Sequence, residues 1–284
     1  GNNKYIGDTA FSEFKNRNIV VTALHLSYRL SADGEYLGLF DAKGKLVDEI
    51  SFGVQENDVS YGRNPSNPNE WLFFNEVTAG NSNSNFGANS LDYASEPTFN
   101  LQGGFYPSTQ VLQISSTETE AEIRFTFDGS EPKKNSILFG TSFNVIRNYV
   151  VKARAYVPGK LPSPVVTMTY FIGENISLPV ISISSNSGHL FGFDFGIMNN
   201  SIKDREVPGF VEYYDENKNL GFSTGVGLRL FGTTIFTLPQ KPISIRFKSK
   251  FGIDELQYKL FEERENEKFK SIQLRNGGND YNLS

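Results

Sequence analysis

Along most of the chain, apolar and polar side chains alternate at every second position, the spacing of a strand with one covered face. In residues 122–127 Ile123, Phe125 and Phe127 point one way, and Glu122, Arg124 and Thr126 the other. The run 151–155 repeats the pattern, with Val151, Ala153 and Ala155 facing inward and Lys152 and Arg154 outward. Residues 36–52 read as two strands around Asp41-Ala42-Lys43-Gly44, a hairpin turn in which Gly44 is free to take positive φ. In the second of these strands Ile50 and Phe52 alternate with Glu49 and Ser51.

A third group of strands occupies 178–184, 209–222, 225–232, the strand that holds Lys241, and 269–278, with a turn from Asp215 to Asn219. Helical periodicity is scarce, and its best instance is the charge-laden segment 261–269, which reads equally as a solvated turn. Residues 76–98 are rich in Asn, Ser and Gly with few aliphatics, which reads as a linker or long loop. The predicted fold class is therefore mainly β: tandem antiparallel sandwiches of immunoglobulin-like and fibronectin III-like type, followed by a further, mostly β region.

Composition narrows the function classes. A chain of 284 residues divides naturally into two or three modules. Its net charge of −5 argues against a nucleic-acid partner, which needs a basic stripe to displace counterions. No run of about 18 apolar residues is present, so no transmembrane segment is predicted. The absence of cysteine excludes disulfides, thiolate–zinc sites and thiol catalysis. His25 and His189 are the only histidines, too few for a His-rich metal site, and His25, between Leu24 and Leu26, reads as structural. The chain opens on Gly with no signal peptide, as expected of a mature or trimmed piece.

Several motifs invite chemistry. Gly225-Val226-Gly227…Gly232 superficially resembles a phosphate-binding loop, but the spacing is wrong and Leu228 to Leu230 reads as strand. Asp128-Gly129-Ser130-Glu131 is oxygen-rich, yet it lacks the repeated acidic spacing of a calcium loop and reads as a hairpin turn. The run 262–268 is a solvated charged face. Trp71 is a candidate for sugar stacking or for core anchoring. Lys241 shares the parity of Ile243, Ile245 and Phe247, so it needs either an anion or a route to solvent along its stem. Arg229 and Arg275 project from strand surfaces, where solvation competes with phosphate contact.

Three resemblances follow from longer stretches. "LSADGEYLGLFDAKGKLVDEISFGVQENDVSYGR", with Trp71 beyond it, resembles the second half of a bacterial lamin-tail domain, an immunoglobulin-like sandwich that here begins without its opening strands. "AEIRFTFDGSEP" and "VVKARAYVPGKLPSPVVTMTYFI" are similar to the fibronectin III-like module at the C-termini of chitobiases and hexosaminidases. "LPVISI", "VEYYDENKNLGFSTGVGLRLFGTTIFTLPQKPISIRFKSKFG" and "FKSIQLRNGGND" are similar to the N-terminal portion of the spore coat protein H kinase-like family. The implied modules are 1–97, 98–175 and 176–284.

In that third family a Pro-x-Lys step belongs to a nucleotide-binding lobe, and Lys241 is the matching position. With Arg229 and Arg275 it makes up the candidate cofactor-binding set. The family's His-Gly-x-x-Ser-Arg loop is replaced here by Phe231-Gly232-Thr233-Thr234-Ile235-Phe236, which lacks its polar and cationic groups. The catalytic acidic residues lie further downstream in the family, so no catalytic or metal-binding residue is assigned. ATP and a divalent metal are implied for a full-length parent only. The resemblances imply a bacterial, secreted or cell-surface scaffold with coat or surface proteins or glycans as partners. The alternative is a glycan- or surface-polymer-binding module array of adhesin type.

Overall fold

The computed structural model describes residues 29–76, 78, 81–84, 86–202, 204–232 and 240–275; His25 and the loop 233–239 lie outside them. The described chain is almost entirely β, in antiparallel sheets with one short helix. It divides into two compact units, residues 1–93 with 158–162, and residues 94–157 with 163–284.

The first unit is built on two hairpins. Strands β1 (Glu35–Phe40) and β2 (Leu46–Phe52) pair around the turn that the sequence predicts. Asp41 closes that turn by accepting the N–H groups of Lys43 and Lys45 at 2.9 and 2.8 Å, and Gly44 takes φ +78°. Ile50 and Phe52 are half-buried between exposed Glu49 and Ser51. Strands β3 (Ser60–Asn64) and β4 (Asn67–Phe74) form the second hairpin. Trp71 packs 5.6 Å from Tyr61, and the Arg63 guanidinium lies 4.7 Å over its ring, so one indole face is occupied. The segment read as a linker is pinned down where it is described. Ala88 exchanges two backbone hydrogen bonds with Phe73 and is buried, and Tyr93 forms a bridge with Leu161.

The second unit begins with a sandwich. Its strands are β5 (Thr98–Phe99), β6 (Gly104–Tyr106), β7 (Gln110–Leu112), β8 (Ile114–Ser115), β9 (Glu122–Thr126), β10 (Ile137–Leu138), β11 (Phe143–Val145), β12 (Tyr149–Tyr156) and β13 (Val166–Ile172). One layer has the order β10-β9-β12-β13-β6, with β6 parallel to β13; β11-β7 and β5-β8 supply short pairs opposite. The core holds Leu112, Ile123, Phe125, Val145, Val151, Ala153 and Tyr170, so the predicted inward parity holds on β9 and β12. Phe127 departs from it: it lies past the end of β9, stays exposed, and stacks on Phe143 at 5.9 Å.

A second sheet follows, made from β14 (Val180–Ser184), β15 (Glu206–Tyr214), β16 (Leu220–Leu230), β17 (Ile243–Arg246) and β20 (Ser271–Leu274), in that spatial order. The pair β18 (Leu256–Gln257) and β19 (Lys268–Phe269) lies beside it. The turn 215–219 forms as predicted, with Asp215 accepting the N–H of Asn219 at 2.8 Å. Residues 261–267 take the turn of the two readings the sequence offers, and no helix forms there. The helix α1 (Ser187–Phe191) is a single turn capped by Asn186, too short for any periodic pattern to announce. One face of this sheet buries Val207, Val211, Val226, Leu228 and Ile245.

Its other face turns toward the sandwich. Glu212 and Tyr214 on β15 meet Thr169 on β13, and Phe105, Phe171 and Tyr214 form an aromatic knot with centroids 4.4–5.6 Å apart. The odd-numbered face of β13 and the even-numbered face of β12, polar by sequence, are therefore covered. That corrects one expectation: Lys152, predicted to face outward, is only 5% exposed.

Candidate functional site

Where the sandwich meets the second sheet, a cleft of about 520 Å³ opens. Strand β12 supplies Lys152 and Arg154 to it, and β13 supplies Thr167. The turn after β9 contributes Gly129, Glu131 and Lys133. The opposite wall is Ser185, Asn186 and His189 at the β14–α1 junction, with Phe210 from β15. Lys250 and Phe251, from the loop after β17, complete it.

Local geometry explains why these residues converge. Asp128 closes its own turn, accepting the Ser130 N–H at 3.0 Å and the Ser130 hydroxyl, and Gly129 takes φ +83°. A side chain at Gly129 would sit 2.6 Å from the Ser185 carbonyl oxygen, so this glycine lets the two walls approach. On the other side, a Cβ at Gly225 would fall 1.8 Å from the Phe251 carbonyl oxygen. Gly225 and Gly227 of the apparent phosphate loop thus lie on β16 and seat the 249–252 loop against the strand.

The electrostatics of the cleft are unusual for a chain of net charge −5. Four cations (Lys133, Lys152, Arg154 and Lys250) share its lining with one carboxylate, Glu131. Burial pushes the Lys152 ammonium pKa down, while Glu131, Glu212 and Asp128 pull it back up. Its Nζ lies 5.9 Å from the Phe210 ring centroid. The Arg154 Nε is buried without a hydrogen-bond partner, and so is the Nδ1 of His189. Burial and the Arg205 charge lower the His189 pKa against the pull of Glu131, which favours the neutral imidazole at physiological pH. Arg124, opposite Arg154 in the ladder, is already held by Glu122 at 2.7 Å.

The basic character continues along the same face of the second sheet. Glu206 collects Lys248 at 2.7 Å, with Lys250 and Arg246 each at 3.4 Å. Burial alone raises the Glu206 pKa, but those three cations together hold it below the usual carboxylate range. Arg229, opposite Glu206 in the β15–β16 register, pairs with Asp204 at 2.7 Å.

The three candidate residues from the sequence lie at one end of this sheet. Arg229 is on β16, Lys241 is half-buried just before β17, and Arg275 is exposed just after β20. Leu230 pairs with Ile243, and Ile243 with Leu274. Strand alternation extended from that register puts Arg229 and Arg275 on one face and Lys241 on the other. They line no part of the cleft. Sequence reasoning noted Lys152 and Arg154 only as outward charges; the one signal available was two cations at i and i+2 on a strand.

Residues 112–170, from β7 to β13, match the family described as Fn3 associated. The match includes Lys152 and Arg154 and supports the fibronectin III-like character of the sandwich. The chain is also similar to an endoglucanase of Clostridium saccharobutylicum, 38% identical over 50 residues, which is 18% of this chain and 11% of that enzyme. It thus spans about a tenth of that relative's length. No solved structure matches the chain at a significant level. Among the described residues no helix is long and apolar enough to cross a membrane.

Proposed function

We propose that this chain is a non-catalytic, secreted or cell-surface array of β modules that binds a polysaccharide at the cleft between its Fn3-associated sandwich and the following sheet. The observation that carries this reading is an exposed aromatic loop that follows the helix bearing His189 of the cleft wall. Helix α1, which brings His189 to the cleft wall, ends at Phe191 and runs into Phe193 and Phe195. These three rings are exposed, Phe193 by 92%. Exposed aromatic faces in sequence are costly in water and mark contact surfaces; flat apolar rings suit the flat faces of sugars. The partial likeness to a protein named for cleaving glucan supports a saccharide over other polymers.

Glycosidic cleavage uses two carboxyl groups roughly 5–10 Å apart. Among the described lining residues, Glu131 is the one carboxylate, which favours binding over hydrolysis. In the same reading, residues 1–97, 98–175 and 176–284 are successive modules. The last is a scaffold related to the spore coat protein H kinase-like lobe, and ATP and metal chemistry belong to a longer parent. Surface or coat proteins are further partners. A glycan array tests the proposal. The chain should retain saccharides, and Phe193→Ala should weaken that binding about five- to tenfold with an unchanged melting temperature. Retention of no saccharide, or full binding by the Phe193→Ala variant, overturns it.

A further inference from the structure

We infer that the saccharide held in this cleft carries a carboxylate, and that Arg154 and Lys152 receive it; the inference rests on the saccharide reading above and names its chemical class. Two observations lead there independently of the aromatic loop. The first is charge. A chain with an excess of acid lines a single concavity with Lys133, Lys152 and Arg154, and with Lys250, which Glu206 already pairs, so cations outnumber the one lining carboxylate, Glu131, even though Glu212 and Asp128 also act on Lys152.

The second is the state of those cations. Some basic side chains in and around the cleft already have acidic partners: Arg124 has Glu122, and Lys250 shares Glu206 with Lys248 and Arg246. Among the described residues neither Arg154 nor the covered Lys152 has an ion pair, and the Nε of Arg154, like that of Arg124, is buried without an acceptor. An arginine and a lysine that line a cleft without an ion pair leave charged N–H donors to be met by an anionic ligand oxygen.

Strand geometry sets what the pair can hold. Residues 152 and 154 are two apart on β12, so they share a face with Cα atoms about 7 Å apart. The planar fork of Arg154 matches a carboxylate edge-on, and the Lys152 ammonium supplies a point charge alongside. Glu131 in the wall disfavours densely charged polymers and suits one charge per sugar unit. Thr167 and Asn186 add polar groups for hydroxyls.

Calorimetric titration of the whole chain with a galacturonate oligosaccharide, the matching neutral galactose oligosaccharide and a sulfated galactose oligosaccharide tests this. The galacturonate oligomer should bind best, and its affinity should fall as salt rises. Arg154→Gln should lose about 10- to 100-fold for that ligand and leave the neutral one unchanged, and Arg154→Lys should recover only part of the loss. Lys152→Met, which keeps the buried stem, should lose a comparable factor, and thermal melts of each variant confirm folding. Equal binding of the neutral oligosaccharide, untouched by Arg154→Gln, overturns the carboxylate inference and leaves the saccharide reading standing. Preference for the sulfated ligand overturns the carboxylate assignment. Binding of none of the three overturns the carboxylate inference, and the saccharide reading falls only if the glycan array also retains nothing.

Discussion

Glu212 offers the sharpest test of how the sandwich is joined to the second sheet. Its carboxyl accepts the Thr169 N–H at 3.2 Å, the Thr169 hydroxyl, and the Tyr214 hydroxyl at 3.1 Å. In Glu212→Ala two of these donors keep an alternative: Thr169 Oγ1 has Ser182 Oγ at 2.8 Å, and Tyr214 can turn to the Thr169 carbonyl at 3.5 Å. The Thr169 N–H has none, and Thr169 is 3% exposed. One orphaned buried donor plus the emptied volume costs about 2–4 kcal/mol. For a unit of this size that is a drop on the order of 5–15 °C in melting temperature. Glu212→Gln retains a carbonyl acceptor, and the Thr169 hydroxyl can turn to accept from the new amide, so stability at neutral pH should stay within about 1 kcal/mol of the parent. The two variants should also differ from the parent in pH dependence. Burial is the main cause that raises the Glu212 carboxyl above its usual range near 4.5, with Thr169 and Tyr214 partly opposing it. The fold then binds the proton more tightly than the unfolded chain does. The stability contributed by this group is complete below that range and is lost as pH rises through the raised value. Glu212→Gln should therefore gain on the parent as pH increases. Calorimetric melts from pH 4 upward decide the matter. A Gln variant less stable than the Ala variant, or a Gln–parent difference that does not change with pH, would refute the reasoning.

Three further outcomes are expected. Gly225→Ala, whose new methyl meets the Phe251 carbonyl oxygen at 1.8 Å, should displace the 249–252 loop, lower the melting temperature and weaken saccharide binding through Lys250; an unchanged melt contradicts the assigned role. Strands β1 and β2 contain no buried residue while Val151, Ala153 and Ala155 are fully buried, so hydrogen exchange should be faster in β1–β2 than in β12, and the reverse order counts against that reading. ATP with magnesium should leave the melting curve unmoved, and Lys241→Ala should shift it by no more than about 0.5 kcal/mol, because Lys241 falls on the opposite face from Arg229 and Arg275; micromolar ATP binding abolished by that variant would show otherwise.

What could be read from the sequence alone was local. The period of two on β9 and β12 identifies Ile123, Phe125, Val151, Ala153 and Ala155 as core, because a strand between two layers has to bury one parity. The turns at 41–45 and 215–219 follow from Asp side chains that accept their own backbone N–H groups, an interaction contained within five residues. The other parity of β12 was a different matter. Lys152 and Arg154 read as solvated, and nothing within the sandwich's own residues indicates that β15 covers them. The cleft draws its walls from residue 129 to residue 251, so its charge balance exists only once the second sheet has docked. Gly225 and Gly227 likewise look like a failed phosphate loop until the 249–252 loop is seen lying on them. Alternation records which side of a strand is apolar; whether the polar side meets water or another sheet depends on contacts between distant residues, and only the tertiary structure decided that.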